Sequence, residues 1–268
     1  MINLTIFGEN SYIGNAFANQ TNQTFNITKL NSRGEEWQTA NLSETDCILF
    51  CAGIAHQKAT EKLHFAVNYE LAVAVAKKAK NAGVPHFIYI STAAVLETDR
   101  NLIPKTPYGK SKLQAENAIK KLQDDNFAVT IIRPPMVYGK DCKGNFTKLA
   151  KLAKFTPIFP SLNNQRTFIY IENLNIFIET TIKSKTKGTF FVQNSAPVST
   201  AKMVRQIRKS YGKKTLLIPI FNSIIRLFLF MPIINKMFGD SVYEGQNPIY
   251  IHFVSFEESI RKSLGTIE

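Results

Sequence analysis

The sequence is poor in cysteine and in long apolar runs. Its three cysteines, Cys47, Cys51 and Cys142, have neither metal-site nor disulfide spacing, so we predict no metal and a reducing, cytoplasmic location. The N-terminus has no basic region followed by a long apolar run, so we expect no signal peptide. The charge-free apolar runs are shorter than the roughly 18–20 residues of a membrane span, so none is predicted.

Acidic residues are also scarce. The chain has 20 Asp and Glu against 33 Lys and Arg, which gives a formal net charge of +13. Such a surface favours anionic partners such as nucleotides, phosphosugars, nucleic acid or an acidic membrane. No arginine-rich tract or zinc finger accompanies the scattered basic residues, so we predict no nucleic-acid partner.

Strand-like and helix-like segments alternate along the chain. The 268 residues, 44% of them hydrophobic, fit one large α/β domain or such a domain with a smaller cap. Strands are predicted at 3–7, 25–30, 46–50, 86–90 and 129–132, and helices at 68–82 and from Pro107 onward. This alternation predicts a parallel sheet with ligands at the carboxyl ends of its strands.

Tyr108 and Lys112 are the candidate catalytic pair. Four residues apart on a predicted helix, they share a face that continues as an apolar stripe through Ala115 and Ile119. A nearby ammonium would stabilise the phenolate and lower the pKa of the tyrosine, which suits acid/base work on a hydroxyl or carbonyl. The pattern alone also fits a half-buried tyrosine beside a solvated lysine.

A glycine-containing turn follows the first predicted strand. Gly8 and Gly14 enclose Ser11, Tyr12 and Ile13, and a helical segment follows. A strand, a glycine turn and a helix N-terminus together form a typical binding site for the phosphates of a dinucleotide. Ser11 stands where a third glycine is often found, so the match to that pattern is partial.

The end of the second predicted strand bears on cofactor choice. An NAD site usually carries Asp or Glu there to bind the ribose hydroxyls, and this chain has Asn31, Ser32 and Arg33 instead. A cation and a hydroxyl suit a 2′-phosphate. We therefore favour NADP(H), and NAD(H) stays open.

Two further strand ends carry small or polar residues. Cys51, Ala52 and Gly53 follow the third predicted strand, where small side chains would let a cofactor lie close to the backbone. Ser91 and Thr92 follow the fourth. Because parallel strands end at one sheet edge, we expect Thr92 and Tyr108 to lie at that edge.

The segment 216–238 is very apolar but interrupted by prolines and cations. We interpret it as helices of a small cap packed on the core or at a subunit contact. A peripheral membrane contact through this segment and a homodimer stay open.

These motifs, in this order, resemble the extended short-chain dehydrogenase/reductase family of NAD(P)-dependent nucleotide-sugar epimerases, dehydratases and reductases. The stretch from Ile131 to Arg166 is similar to the branch that handles UDP-N-acetylhexosamines in capsule and O-antigen synthesis. The resemblance implies a Rossmann-type α/β fold, a parallel sheet with helices on both faces, plus a small C-terminal substrate-binding cap. It implies a cofactor domain over 1–135, with 165–185 returning to it, and a mainly substrate-binding cap over 136–268.

The resemblance also assigns roles to individual residues. It implies catalysis by Thr92, Tyr108 and Lys112. It implies substrate binding by Thr92, Asn145, Phe146 and Arg166. The implied cofactor residues are Gly8, Ser11, Tyr12, Ile13, Gly14, Asn31, Ser32, Arg33, Asn41, Leu42, Cys51, Ala52, Gly53, Asn68, Ser91, Tyr108, Lys112 and Pro135.

Departures from the family pattern do not remove the Thr/Tyr/Lys set. Met136 stands where many members have Asn, and the 15 residues between Thr92 and Tyr108 predict a trimmed sugar pocket. The leading hypothesis is an NADPH-dependent reductase of a UDP-4-keto-6-deoxy-N-acetylhexosamine, with a UDP-sugar as partner. The alternatives are a UDP-hexose or UDP-N-acetylhexosamine 4-epimerase with tightly bound NAD, and a non-catalytic NADP-binding scaffold or sensor.

Overall fold

A computed structural model describes residues 1–55, 59–96, 106–243 and 253–265. The strands are β1 Ile2–Phe7, β2 Phe25–Leu30, β3 Cys47–Phe50, β4 His86–Ile90, β5 Ala128–Arg133, β6 Met136–Tyr138, β7 Ile158–Pro160, β8 Phe168–Tyr170, β9 Gly188–Phe191 and β10 Leu216–Ile218. The helices are α1 Tyr12–Thr21, α2 Glu36–Thr39, α3 Glu61–Phe65, α4 Leu71–Asn81, α5 Pro107–Lys120, α6 Asn145–Phe155, α7 Ile171–Ser184, α8 Thr200–Ser210, α9 Asn222–Leu227, α10 Pro232–Phe238 and α11 Phe256–Leu264.

The main sheet is parallel and has six strands in the order β2-β1-β3-β4-β5-β9. The chain builds outward from β1 in one direction through β2 and in the other through β3. The carboxyl ends of β1 and β3 therefore flank the point where the strand order reverses, which is where open α/β sheets bind ligands. This Rossmann-like sheet confirms the predicted fold class.

One face of the sheet is covered by α4 and α5. Phe50 of β3 and Phe87 of β4 lie in one buried cluster with Val75 of α4 and Ile119 of α5, and the two phenylalanine rings stack at 6.2 Å. Side chains alternate across a strand, so their sequence neighbours point to the opposite face. Each fully buried side chain of this size stabilises the fold by about 1.5–3 kcal/mol.

The opposite face is covered by α1 and α7. Gly14 of α1 lies so close to β1 that a Cβ there would come within 2.9 Å of Ile6 Cγ2. Asn175 of α7 donates a hydrogen bond of 2.8 Å to Gln20 of α1. Close packing of α1 places its N-terminus at the end of β1.

The described chain divides into two compact units. The first comprises Met1–Pro135 and Leu174–Val192, which include the six-stranded sheet. The second comprises Met136–Asn173 and, among its remaining described residues, 193–243 and 253–265.

The second unit has its own small core. It contains two parallel strand pairs, β6 with β8 and β7 with β10, and α8 contacts both α6 and α11. Buried Tyr138 contributes a hydrogen bond of 2.6 Å to Ser259, and Asn194 donates one of 3.0 Å to the Tyr138 hydroxyl. Arg208 donates to the Ala153 carbonyl near the end of α6, at 2.8 Å.

Several features differ from the sequence predictions, which also did not include α8, β6, β7 and β10. β9 was not predicted, because its four residues are only partly buried and carry no clear alternation. A π-helical turn over Ala66–Glu70 joins α3 to α4, where one regular helix was expected from residue 68. The internal packing expected for 216–238 is only partial: none of these residues is buried, although β10 pairs with β7 and Phe238 contacts buried Phe159. The predicted trimming of the sugar pocket depends largely on 97–105, which lie outside the described residues.

Candidate active site

The turn after β1 is held in one shape by glycine and by a helix cap. Gly8 has φ of +104°, and a Cβ there would come within 2.8 Å of the Ala52 backbone nitrogen. The Ser11 hydroxyl accepts a hydrogen bond of 3.3 Å from the Gly14 N–H and so caps α1. Ser11, a departure from the usual glycine pattern, therefore has a structural role of its own.

This turn forms one wall of a cleft of about 340 Å³ in the first unit. The walls come from the carboxyl ends of β1, β2 and β3. The lining residues are Gly8, Glu9, Asn10, Ser11, Tyr12, Asn31, Ser32, Arg33, Cys51, Ala52, Gly53, Ile54 and Val67. Nine predicted cofactor residues are among them, and Glu9, Asn10, Ile54 and Val67 were missed because side chains beside a turn have no fixed pattern.

The cleft fits the adenosine diphosphate part of a dinucleotide. The N-terminus of α1, where Ser11 and Tyr12 line the cleft, offers the positive end of the helix dipole to phosphate. The glycine turn brings bare backbone to the same place, since a side chain at Gly8 would collide with Ala52. Arg33 is exposed at the cleft, and the Asn31 side chain accepts a hydrogen bond of 2.9 Å from the Arg33 N–H. This hydrogen bond stabilises the turn in which Arg33 lies.

Asn68 links the cleft to α5. Its amide oxygen accepts a hydrogen bond of 2.8 Å from the Ile54 N–H, and its amide nitrogen donates to the Ile54 carbonyl at 3.1 Å. The same nitrogen donates to Ser111 at 3.1 Å. Asn68 sits in the π-helical turn, and such turns are frequent at functional sites. Asn68 does not itself line the cleft. It holds Ile54, a lining residue, in place through these two hydrogen bonds.

Lys112 is buried, with its ammonium directed at the end of β4. Its Nζ donates a hydrogen bond of 2.9 Å to the Ile90 carbonyl and lies 4.6 Å from the centroid of the Tyr89 ring. A Cβ on Gly53 would come within 3.2 Å of this Nζ, so the ammonium reaches the lining of the cleft. Burial lowers the pKa of Lys112 from 10.5 to about 8, and neighbouring Cys51 and Glu116 oppose that shift.

Tyr108 lies in the first turn of α5, where Thr106 caps the helix through the Gly109 N–H at 3.1 Å. Burial raises the pKa of Tyr108, and a hydrogen bond with Thr92 opposes that rise. The structure therefore brings Thr92 and Tyr108 together as expected. The predicted lowering of the phenol pKa by Lys112 is not what the structure gives, because desolvation prevails and the ammonium pairs with the Ile90 carbonyl.

Glu116 and Arg133 form a buried ion pair between α5 and β5. Glu116, which is fully buried, accepts hydrogen bonds from Arg133 Nη2 at 2.5 Å and from the Ser91 hydroxyl at 2.5 Å. The predicted cofactor residue Ser91 is thus engaged in holding α5 to the end of β4. Sequence reasoning missed Glu116, although its spacing of four and eight residues from Lys112 and Tyr108 puts it on their helix face.

Some predicted cofactor residues are not among the residues that line the cleft. Leu42 belongs to the hydrophobic core, and the Asn41 side chain accepts a hydrogen bond of 3.0 Å from the Ser43 N–H. Ile13 lies in the first turn of α1, and partly buried Pro135 ends the first unit's leading segment. Asn41 and Leu42 instead line a separate cavity of about 190 Å³ beside Thr28 and Leu30 of β2, and their cofactor role stays a prediction.

The three predicted substrate residues of the second unit have different surroundings. Asn145 is exposed at the start of α6, and buried Phe146 lines a cavity of about 650 Å³ with Lys151, Lys154 and Tyr211. Arg166 does not line this cavity; its Nη1 donates to the Gly239 carbonyl at 2.7 Å. Burial lowers the pKa of Arg166. Within the described ranges, no three His, Cys, Asp or Glu side chains come together as a metal site would require.

The chain is similar to known proteins at the level of family and of individual relatives. The profile of the NAD dependent epimerase/dehydratase family matches residues 5–189. The chain is 34% identical to UDP-glucose 4-epimerase of Vibrio cholerae over 75% of its own length and 66% of that protein's. It is 25% identical to N-acetyl-alpha-D-glucosaminyl-diphospho-ditrans,octacis-undecaprenol 4-epimerase of Escherichia coli O157:H7, over 57% of this chain and 50% of that one. The chain thus spans between half and two thirds of these curated relatives.

Solved structures are similar in fold. The dTDP-4-dehydrorhamnose reductase of Bacillus anthracis, in complex with NADP, aligns over 100% of both chains with a TM-score of 0.78 and 21% identity. The UDP-glucuronic acid 4-epimerase of Bacillus cereus, in complex with NAD, aligns over 99% of this chain and 98% of that one, with a TM-score of 0.74 and 16% identity. Reductases and epimerases therefore share this architecture.

Proposed function

The chain belongs to the NAD-dependent epimerase/dehydratase family, and from that premise we propose that it is an NADPH-dependent reductase of a UDP-4-keto-6-deoxy-N-acetylhexosamine. The product would be a UDP-6-deoxy-N-acetylhexosamine, a precursor for polysaccharide synthesis. The choice of reduction over epimerisation rests on the position of Arg33. It lines the cleft beside Ser32, where an acidic residue would select NAD, and so favours the NADPH that a reductase consumes.

Tyr108 and Thr92 have separate roles in the proposed reduction. When bound, the nicotinamide supplies the hydride that adds to carbon 4 of the sugar. Tyr108 donates the proton that the resulting oxygen requires, and the raised pKa of this buried phenol keeps it protonated and ready to act as an acid. Thr92, whose hydroxyl is hydrogen-bonded to Tyr108, would turn that hydroxyl from Tyr108 to the same oxygen and donate to it as its charge develops.

Lys112 is proposed to bind the ribose of the cofactor. Its ammonium, anchored on the Ile90 carbonyl, stands at the Gly53 side of the cleft, where it would donate to the hydroxyls of the cofactor ribose. The Glu116–Arg133 pair holds α5 against the end of β5, and the Ser91 hydroxyl ties Glu116 to the residue after β4, which keeps Tyr108 and Thr92 adjacent. Asn145, Phe146 and Arg166 are proposed to bind the UDP part of the substrate, with Arg166 leaving the Gly239 carbonyl to do so.

The cofactor preference has a direct test in Arg33→Ala. Removing the guanidinium should weaken NADPH binding at least tenfold and leave NADH binding nearly unchanged, because only NADPH carries the 2′-phosphate. Titration calorimetry with both dinucleotides would measure this, with Lys29→Ala, a cation of β2 that does not line the cleft, as the matched control. Equal losses for both dinucleotides would remove the argument for NADP.

A second candidate function is a UDP-hexose or UDP-N-acetylhexosamine 4-epimerase with tightly held NAD. The 34% identity to the Vibrio cholerae epimerase favours it, and Thr92, Tyr108 and Lys112 would serve the same step at carbon 4. The two functions differ in their net change, since an epimerase returns its cofactor unaltered.

The experiment that separates the candidates uses the purified full chain. Incubation with NADPH and a UDP-4-keto-6-deoxy-N-acetylhexosamine should consume NADPH and form one C4 alcohol, identified by nuclear magnetic resonance. Interconversion of UDP-hexoses without consumption of NADPH would establish the epimerase instead. Dinucleotide binding with neither activity would favour a non-catalytic sensor or scaffold.

A further inference from the structure

The apolar segment 216–238 lies on the surface of the second unit. Sixteen of its 23 residues are Leu, Ile, Met or Phe, a composition typical of a core. Nevertheless none of the 23 is buried. Ile220, Leu227, Phe230 and Ile233 are each at least 70% exposed. Soluble monomers rarely expose a contiguous apolar surface of this kind, and those that do commonly use it to bind a partner.

Neighbouring elements enlarge this surface. Leu216 of β10 is paired with Ile158 of β7, so two exposed aliphatic side chains stand next to each other at the start of the segment. Phe155, the last residue of α6, is 77% exposed three residues before Ile158. We call the exposed apolar side chains of 216–238, together with Phe155 and Ile158, the apolar patch.

The patch is built from elements that are too short to cross a bilayer. The two helices, α9 and α10, have six and seven residues. At a rise of about 1.5 Å per residue each is about 10 Å long, against the roughly 30 Å of a hydrocarbon core. Within the described ranges of the chain, no helix is long and apolar enough to cross a membrane. The patch could therefore enter only the interfacial layer of one leaflet.

The charge around the patch selects its partner. Residues 213–239 include four Lys and Arg and no Asp or Glu, and exposed Asp240 follows them. Lys213, Lys214, Arg226 and Lys236, which precede or lie within the patch segment, are all exposed. Two copies of such a surface would repel each other when their patches met. An anionic membrane surface instead satisfies both properties, since its headgroups attract the cations and its acyl boundary accepts the apolar side chains.

We propose that the apolar patch docks the protein on an anionic lipid bilayer. The cations draw the second unit to the headgroups, each strengthening binding by about fivefold. Leu227, Phe230 and Ile233 then insert their side chains into the boundary between headgroups and acyl chains. This proposal depends on the surface of the second unit alone and holds for either reaction at carbon 4.

The test is flotation of the full chain with vesicles of phosphatidylcholine, with and without phosphatidylglycerol. The wild type should float with the anionic vesicles and dissociate as salt is raised. Leu227→Ser/Phe230→Ser/Ile233→Ser should bind at least tenfold more weakly. Leu63→Ser, at an exposed leucine of α3, is the matched control and should bind like the wild type.

A charge variant tests the second half of the proposal without changing apolar area. Lys214→Gln/Arg226→Gln/Lys236→Gln should weaken binding to anionic vesicles by about a hundredfold, at about fivefold per cation. The control removes three exposed lysines of the first unit, Lys62, Lys77 and Lys121, and should have little effect.

Three results would overturn the proposal. The first is absence of vesicle binding by the wild type. The second is equal binding by the wild type and the triple serine variant. The third is a wild type that binds no vesicles but forms a dimer in sedimentation without lipid. If the triple serine variant then loses this dimer, the apolar patch is a subunit contact.

Discussion

The burial of Lys112 leads to a prediction about stability and pH. Only 4% of this lysine is exposed, and its ammonium donates to the Ile90 carbonyl at 2.9 Å and lies over the face of Tyr89. Replacing it by Met keeps the length of the side chain and removes the charge. The comparison of wild type with Lys112→Met therefore isolates what the buried ammonium does to folding.

The sign follows from the direction of the pKa shift. Burial lowers the pKa of Lys112 from 10.5 to about 8, so between these values the unfolded chain binds more protons than the folded chain. Stability then rises with pH in this window. At pH values below the pKa of Lys112 in the folded protein, burial of the charge lowers the free energy of unfolding by up to about 3 kcal/mol. About 2 kcal/mol of this cost disappears between pH 7 and about pH 9.5.

Urea unfolding of the protein without added dinucleotide, followed by circular dichroism across this pH range, measures the effect. The free energy of unfolding of the wild type should rise relative to that of Lys112→Met by about 2 kcal/mol. Lys110→Met, at an exposed lysine of the same helix, should change in parallel with the wild type. A constant difference between wild type and Lys112→Met would show that the ammonium is well solvated, and the reasoning would fail.

Two further predictions concern the cleft and its support. Gly8→Val should reduce dinucleotide binding at least tenfold in calorimetry, because φ of +104° and the 2.8 Å approach to Ala52 exclude a side chain, whereas Gly34→Val, with open space around it, should bind normally. Binding by Gly8→Val at wild-type strength would refute the role of the turn. Glu116→Ala should lower the free energy of unfolding by about 3–5 kcal/mol, because it leaves the Arg133 guanidinium buried without its partner. Gln114→Ala, at an exposed position of α5, should change it little, and an equally small loss for Glu116→Ala would contradict a structural role for the pair.

The sequence predicted the parts of the fold whose signals are local. β2 and β4 begin and end at the predicted residues, and α5 begins at Pro107 as expected. β4 is buried throughout, and the start of α5 is marked by the Thr106 cap and Pro107. The glycine turn could also be predicted, because only glycine tolerates the backbone of Gly8.

What the sequence could not predict depends on partners distant in the chain. Glu116 and Arg133 look like surface charges of separate elements until the fold brings them together. The direction of the Tyr108 pKa shift depends on the balance between burial and charge, which spacing alone does not give. The apolar composition of 216–238 suggested a core, and only the fold shows that none of these residues is buried in the described chain.

Turnover by Tyr108→Phe tests the central claim most directly. With NADPH and a UDP-4-keto-6-deoxy-N-acetylhexosamine, removal of the phenol hydroxyl should lower turnover by the roughly 10²–10⁴-fold typical of a lost general acid. NADPH binding should barely change, because the ring stays in place, and Thr92→Val, which removes a hydrogen bond and not the proton source, should cost less. Near-normal turnover by Tyr108→Phe would contradict the account.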